Sequence, residues 1–484
     1  MEKKEKSKDL SSRTRSGLKW NTSLKIVSQL FRFIISIFLA RILDPVDFGI
    51  MAIGHMVINY TNSLSDFGFI NALVQKKDLQ PVHVNSVFTL NLAISLLLSV
   101  AIAASSASIG AFFNSPESGR VLLFMSSLFI LRTFRDVYIA LLRRHVLFKS
   151  VATIVLIESS VMSFTALGLA LAGFRYWSLV WATIFSTLLA GVLLASQIKE
   201  KPHLQYSHKA MGEIYSFGLW NFFRAQLFFI NQFITQLIVG RLFGPVALGY
   251  FEKSHQLAST PRESIAAQIN AVMFSSFSRL QTNTNKLKEW FLKIVLMETI
   301  LVIPMLTGII AVADHFIIVV LGEKWALSIL PLQILSMGVI FQIFNGLIAS
   351  LNVGIGQYKR QAFREIPGTL LFLGLCFPLA KWGINGIAAC YTISMVFISI
   401  ITFRLAQQTL QLSLAELVKP IWPYLMANLL MIAVVRWLYH SFFSSHSVVN
   451  LIILAGAGAS VYAASILLAN LFLKKNPLFP IRGS

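Results

Sequence analysis

Two cysteines in 484 residues, Cys376 and Cys390, leave no room for a disulfide framework or a thiolate zinc site. Charge is also scarce. With 13% charged and 56% hydrophobic residues, and a mean hydropathy of +0.71, the chain lacks the polar surface a soluble globule of this size needs. Acids are scarcer still, 20 Asp and Glu against 41 Lys and Arg. There is no phosphate-cradling glycine loop, no nucleophile constellation and no metal-ligand cluster. The expectation is therefore a membrane protein that is not an enzyme and carries no cofactor or metal. No A-x-A-like cleavage site follows the charged N-terminal segment, which reads as a basic cytoplasmic tail before a retained helix.

What is present is a series of apolar runs long enough to cross about 30 Å of hydrocarbon, separated by short polar loops. They begin near Leu18, Phe48, Val84, Val121, Val151, Phe174, Tyr215, Val246, Trp290, Ala326, Gln361, Ile384, Leu417 and Val448. The predicted fold class is an all-α polytopic membrane protein with about 14 transmembrane helices. Alternate loops hold 26 of the Lys and Arg residues and the intervening loops 7. That is the positive-inside pattern with both termini cytoplasmic. The net charge of +21 then reports topology and attraction to anionic lipid headgroups, not nucleic-acid binding.

The stretch ARILDPVDFG at 40–49 returns as GRLFGPVALG at 240–249. Over positions 16–55 the offset of 200 gives 10 identities, among them Arg41 with Arg241, Pro45 with Pro245, Gly49 with Gly249 and His55 with His255. Six spans separate the copies, which makes them parallel repeats about an axis along the membrane normal. The organisation expected is a cytoplasmic tail (1–17), a six-helix lobe (18–197), a cytoplasmic linker (198–213), a second six-helix lobe (214–407), an extra helix pair (417–472) and a cytoplasmic tail (473–484). Two such lobes are the plan of an alternating-access transporter with its substrate near the midplane.

Eight Lys or Arg fall inside spans, where facing hydrocarbon costs about 2.5–3.5 kcal/mol each. Lys293 can snorkel, and Arg135, Lys253 and Arg262 have acidic neighbours in sequence. The first span carries a polar stripe of Lys25, Ser28, Gln29, Arg32 and Ser36, the second His55, Asn59, Asn62 and Asp66. The seventh has Asn221, Arg224, Asn231, Gln232 and Thr235, the eighth Glu252, His255, Gln256, Ser259 and Glu263. Four stripes on four repeat-related helices predict one wet cavity, with interhelical hydrogen bonding as the alternative. The residues expected to contact substrate are Lys25, Gln29, Arg32, Asn59, Asp66, Asn221, Arg224, Asn231, Lys253 and Arg262. Candidates for H+ or Na+ coupling are His55, Asp66, Glu158, His255 and Glu298. Glu158 and Glu298 are isolated acids in sequence. The structural alternatives are pairing of Lys25 with Asp66, and of the arginines with Asp66 or Glu263.

The stretches ARILDPVDFGIMAI, SLSDFGFINALVQKKDL, LGEKWALSILPLQILS, FSSFSRLQTNTNKL and GINGIAACYTIS closely resemble the Wzx-type exporters of colanic acid and O-antigen, within the multidrug/oligosaccharidyl-lipid/polysaccharide superfamily. The resemblance runs from about Ser16 to Asn470. It implies two six-helix lobes, a V-shaped cavity and two added C-terminal helices. It further implies flipping of an undecaprenyl-diphosphate-linked oligosaccharide across the bacterial cytoplasmic membrane, with a polysaccharide polymerase and chain-length machinery as partners. The related lipid II flippases line their cavity with cations from the first and eighth helices, and Lys25, Arg32, Lys253 and Arg262 occupy comparable helices here. The chain departs from many relatives at Phe277, near which they carry a proline. A multidrug-type antiporter and a non-transporting scaffold are the alternatives.

Overall fold

The computed structural model describes residues 28–29, 31–65, 69–70, 73, 76, 78–145, 147–198, 201–266, 268–270, 277, 280–281, 283–357, 365–443 and 445–475; side chains at 64–65, 214–225, 227–232 and 470–475 are excepted. The described chain is helical throughout its spans. We number fourteen membrane helices: α1 (31–42), α2 (Pro45–Ser65), α3 (Pro81–Phe112), α4 (Pro116–Met125 continued by Leu128–Arg144), α5 (Phe148–Leu171), α6 (Tyr176–Ser196), α7 (208–243), α8 (245–261), α9 (Thr284–Leu301 continued to Leu321), α10 (Ile329–Gly354), α11 (Glu365–Leu379), α12 (Gly383–Leu410), α13 (Leu414–Phe442) and α14 (Val448–Lys475). Among the described residues, nine helical stretches are long and apolar enough to span a bilayer. Two of these, Phe233–Asn270 and Glu365–Leu410, each run through more than one of these helices. The chain forms two compact units, Met1–Gly249 and Tyr250–Ser484.

In the first unit, α5 and α6 pack through small side chains, with Ala166, Ala170 and Ala182 buried against Ile35 and Leu39 of α1. Small residues suit this contact because lipid offers no hydrophobic drive to join helices, so close van der Waals approach must supply it. A second cluster joins α3, α4, α5 and α6 around Phe88, Val137, Leu142 and Leu194. α4 breaks at Ser126 and Ser127, whose hydroxyls donate back to the carbonyls of Leu123 and Phe124 at 2.7 and 2.8 Å. Such back-bonding competes with the helical ladder and bends it.

The repeated hairpin is held differently in its two copies. Before α2, Asp44 occupies the cap position, and its backbone N–H donates to the Asp47 carboxylate at 3.0 Å. Pro45 then starts the helix, where a missing N–H costs nothing. In the second copy Gly244 takes φ +76°, a conformation other residues rarely adopt, and the turn needs no acidic cap. The two copies touch backbone to backbone. A Cβ added at Gly49 would stand 1.7 Å from the Pro245 carbonyl oxygen, and one at Gly249 would stand 1.8 Å from that of Pro45. The contact is reciprocal, as a two-fold relation between repeats requires.

Residues 201–207 lie along the polar side of α3. Asn85 accepts from the His203 N–H at 3.0 Å and donates to Gln205 at 2.9 Å, and Ser86 accepts from the Ser207 N–H at 2.9 Å. Glu213, at the start of α7, bonds Lys76 at 2.7 Å and His83 at 3.2 Å. Both groups hold its carboxyl below the usual carboxylate range.

In the second unit, Phe291, Val295, Leu347, Leu351 and Ala406 form the core of α9, α10 and α12. Pro304 interrupts α9: it has no N–H to give to the carbonyl four residues earlier. That carbonyl, Ile300, instead accepts from the Tyr462 hydroxyl of α14 at 3.1 Å. The proline break therefore becomes the point where the C-terminal helix pair is fastened. Asn428 of α13 adds a buried bond from Thr307 at 2.8 Å.

Candidate functional site

The first unit carries a charged cluster deep within its helices. α4 brings Arg132, Arg135 and Asp136, and Arg135 reaches across to α5. Its Nε and Nη2 donate to Glu158 at 3.1 and 3.0 Å, while Nη1 donates to Asp136 at 2.7 Å. Arg132 donates from Nη1 to Asn59 of α2 at 2.9 Å, and His55 lies within its electrostatic reach. His55, Asn59 and Ser63 recur every four residues, forming one polar ridge on α2. At Ser63 the ridge meets α7: Gln226 Nε2 donates to the Ser63 carbonyl at 3.0 Å.

Depth makes the cluster unusual. Arg132 is about 18 Å from the Arg144 end of α4, Asn59 about 21 Å from the Pro45 end of α2, and Glu158 about 15 Å from the Phe148 end of α5. Arg132 and Glu158 lie near the midpoints of their helices and Asn59 is tied to Arg132, far from the helix ends where ionisable groups reach water cheaply; such buried charges mark substrate or ion pathways. Three residues that sequence reasoning set apart, His55, Asn59 and Glu158, are brought together here. Glu158, isolated in sequence, is ion-paired with Arg135. Sequence reasoning passed over Arg132, Arg135 and Asp136 as site residues; the signal for them was the charge-bearing LRTFRD within an otherwise apolar span.

Gln29, before α1, is half-buried, and Arg32 in α1 is exposed, with no ion pair to another described residue. Arg32 lies about 160° around the helix from Ile34 and about 120° from Phe38, both exposed apolar side chains. Its face is thus turned away from the side suited to lipid. Lys25 and Asp66 lie outside the described residues, as do the side chains of Asn221, Arg224 and Asn231.

The second unit holds the remaining expected residues on α8, the segment Arg262–Ala266 that follows it, and α9. Lys253 is buried, only 2% exposed, and Nζ donates to Gln256 at 3.4 Å. His255 packs edge-on against Tyr391 of α12 at 5.8 Å between ring centroids, and both lie within electrostatic reach of Arg262. Arg262 pairs with Glu263 at 3.4 Å, and its Nε is buried without a hydrogen bond. Glu298 is fully buried on α9 with both carboxylate oxygens unbonded; Asn270 is a near polar neighbour. Among the described residues no group of three or more His, Cys, Asp or Glu could hold a metal ion. α10 has no charged residue from 329 to 354, so the charged mid-membrane cluster of α4 has no counterpart there.

Helices of this kind, bearing mid-membrane charge and a parallel sequence repeat, define a polytopic membrane protein of the transporter type. Solved structures share the fold. The lipid II flippase MurJ in an inward closed conformation superposes with a TM-score of 0.77 over 93% of this chain and 98% of that one, at 16% identity. An inward-facing MATE family multidrug resistance transporter of the MOP superfamily gives 0.63, covering 80% of this chain and 98% of that one, at 14% identity. The family described as polysaccharide biosynthesis protein matches residues 38–330, and the chain belongs to that family. Among curated relatives, the lipopolysaccharide biosynthesis protein WzxC of Escherichia coli (strain K12) is 26% identical over 339 residues, 67% of each chain. The succinoglycan biosynthesis transport protein ExoT of Rhizobium meliloti is 27% identical over 327 residues, 66% of this chain and 65% of its own. The matches thus span about two thirds of each relative's length.

Proposed function

We propose that this chain is a Wzx-type flippase that moves an undecaprenyl-diphosphate-linked oligosaccharide across the bacterial cytoplasmic membrane for surface polysaccharide synthesis. It is a transport protein, not an enzyme. The observation that carries the reading is membership of a polysaccharide biosynthesis family combined with arginines held near the middle of the membrane. A drug antiporter for cationic substrates has little use for such arginines, and a scaffold has no use for an exposed one on the face of α1 turned from lipid.

In this reading the two sequence repeats act as two six-helix lobes that alternate access, with the polar faces of α1, α2, α7 and α8 along the path. Lys25, Gln29, Arg32, Asn59, Asp66, Asn221, Arg224, Asn231, Lys253 and Arg262 form the substrate path. His55, Asp66, Glu158, His255 and Glu298 are the residues through which H+ or Na+ would couple. Glu298 is the fully buried carboxyl among the described ones, on α9. The glycan polymerase and chain-length machinery are the partners that would receive the flipped substrate, and both termini face the cytoplasm. The test is translocation of a fluorescent lipid-linked oligosaccharide in proteoliposomes. Movement dependent on the protein supports the flippase; movement of cationic drugs instead, or of neither, overturns it.

A further inference from the structure

We propose that residues 201–207, ahead of α7, are a lipid-binding strap seated among the anionic headgroups of the cytoplasmic leaflet; this goes beyond the flippase reading and rests only on the orientation given above. The segment has no regular secondary structure, yet it is bonded repeatedly to α3. Backbone N–H groups of alternate residues donate to that helix: His203 to Asn85 at 3.0 Å, Gln205 to Thr89 at 3.0 Å and Ser207 to Ser86 at 2.9 Å. Asn85 also donates to the Gln205 side chain at 2.9 Å, and Thr89 to the Gln205 carbonyl at 3.1 Å. Alternation of bonded N–H groups marks extended chain, in which Leu204 and Tyr206 share the face opposite Gln205. Both are exposed, Leu204 at 73% and Tyr206 at 52%.

The strap lies on the side of α3 suited to lipid. Asn85, Ser86 and Thr89 fall within about 120° of arc with Leu96, Leu97 and Val100, large exposed apolar side chains further along the helix. α3 has 32 residues, about 48 Å against a hydrocarbon core of about 30 Å. From Thr89 to its Phe112 end it runs about 35 Å, enough to cross that core, so the turn bearing Asn85 and Ser86 stands at the headgroup level. The stretch KPHLQYSHKAMG at 201–212 has two lysines, two histidines and no acid. Lys201, His203, His208 and Lys209 are all exposed, and the acid that follows, Glu213, is already bonded to Lys76 and His83. An aliphatic and an aromatic side chain on one face, flanked by lysines, is a composition that suits the membrane interface. The apolar groups enter the boundary between headgroups and acyl chains while the cations meet anionic lipid. A soluble partner could reach this face only by displacing those headgroups.

The test attaches a nitrobenzoxadiazole fluorophore at Leu204→Cys in the full-length chain lacking Cys376 and Cys390. The protein is studied in nanodiscs of phosphatidylcholine, alone or mixed with phosphatidylglycerol. The label is expected to be quenched more strongly by phosphatidylcholine spin-labelled near its headgroup than by aqueous iodide, and phosphatidylglycerol should raise that ratio. With Lys201→Gln and Lys209→Gln together, the rise should shrink at least about fivefold, the partition due to one lysine near an anionic surface. Inorganic phosphate in the buffer should leave the ratio unchanged; cancellation of the phosphatidylglycerol effect by phosphate would assign the lysines to free anions and overturn the lipid assignment. Quenching by iodide without quenching by spin-labelled lipid overturns the proposal and leaves the face to a soluble partner. A ratio indifferent to phosphatidylglycerol, or equal in the lysine variant, overturns it as well. Should Leu204→Cys fail to accumulate, Tyr206→Cys, on the same face, decides by the same criteria.

Discussion

Gly49→Ala adds one carbon at a point where backbone meets backbone. Its Cβ would stand 1.7 Å from the Pro245 carbonyl oxygen, and the reciprocal change Gly249→Ala would place one 1.8 Å from that of Pro45. A comfortable carbon–oxygen contact is about 3.3 Å, so the segments must part by roughly 1.6 Å. No flexible side chain can absorb this, because the obstructing atoms are main chain. Overpacking of this kind costs about 1–3 kcal/mol. If another arrangement of the hairpins is accessible, that cost shifts its population by about 5- to 150-fold. The assay is double electron–electron resonance between nitroxides at Ile42 and Leu242, exposed repeat-related positions, in a chain lacking Cys376 and Cys390. Both glycine variants are expected to gain a longer distance component. Gly168→Ala, with nothing within 4 Å of its added carbon, serves as the control and should leave the distribution unchanged. Identical distributions in all variants would refute the argument that these glycines hold the contact.

Removing Arg135 leaves Glu158 without its cation, at about 3–5 kcal/mol, while removing Glu158 leaves Arg135 its bond to Asp136 and costs less. Glu158→Ala and Arg135→Ala should each lower membrane abundance and melting temperature, and the double variant should recover part of both. Glu213 is exposed, and Lys76 and His83 hold its folded carboxyl below its unfolded value of 4.5. The fastening of α7 to the 76–83 region is therefore present above pH 4.5 and is lost as pH falls through the lower folded value. Hydrogen exchange at 76–83 should be faster in Glu213→Gln than in wild type at pH 7, and the difference should vanish in strong acid. For topology, cysteines at Asn114 and Ser445, both exposed, should label from outside spheroplasts and one at Gln357 should not. Ser115 is a poor reporter because it is buried as the cap of α4. Outside labelling at Gln357 with silence at Asn114 would reverse the orientation.

The span order, the repeat and the membrane class were legible in the sequence, because each is a local property. An apolar run of about 20 residues has one use, and a gapless offset of 200 places Pro45 over Pro245 and Gly49 over Gly249 without any coordinates. Sequence also showed which charges fall inside spans. It could not show what each charge meets there, since that depends on which helices pack and at what register. Glu158 looked isolated until the packing of α4 on α5 set it against Arg135, 23 residues away. Arg132 and Arg135, three positions apart, look alike in sequence, but a helical rotation of about 300° between them sends one to a neutral amide and the other to two carboxylates. Lys253 read as a substrate-contacting cation with Glu252 beside it in sequence, yet lies buried among its neighbours. Pro304 signals a break in α9, but only the tertiary structure supplies Tyr462 to the carbonyl it frees. Period and composition fix which helices exist and which face of each is polar. Partner choice for a buried charge is decided by contacts between helices distant in the chain, where the low dielectric makes each pairing or its absence energetically large.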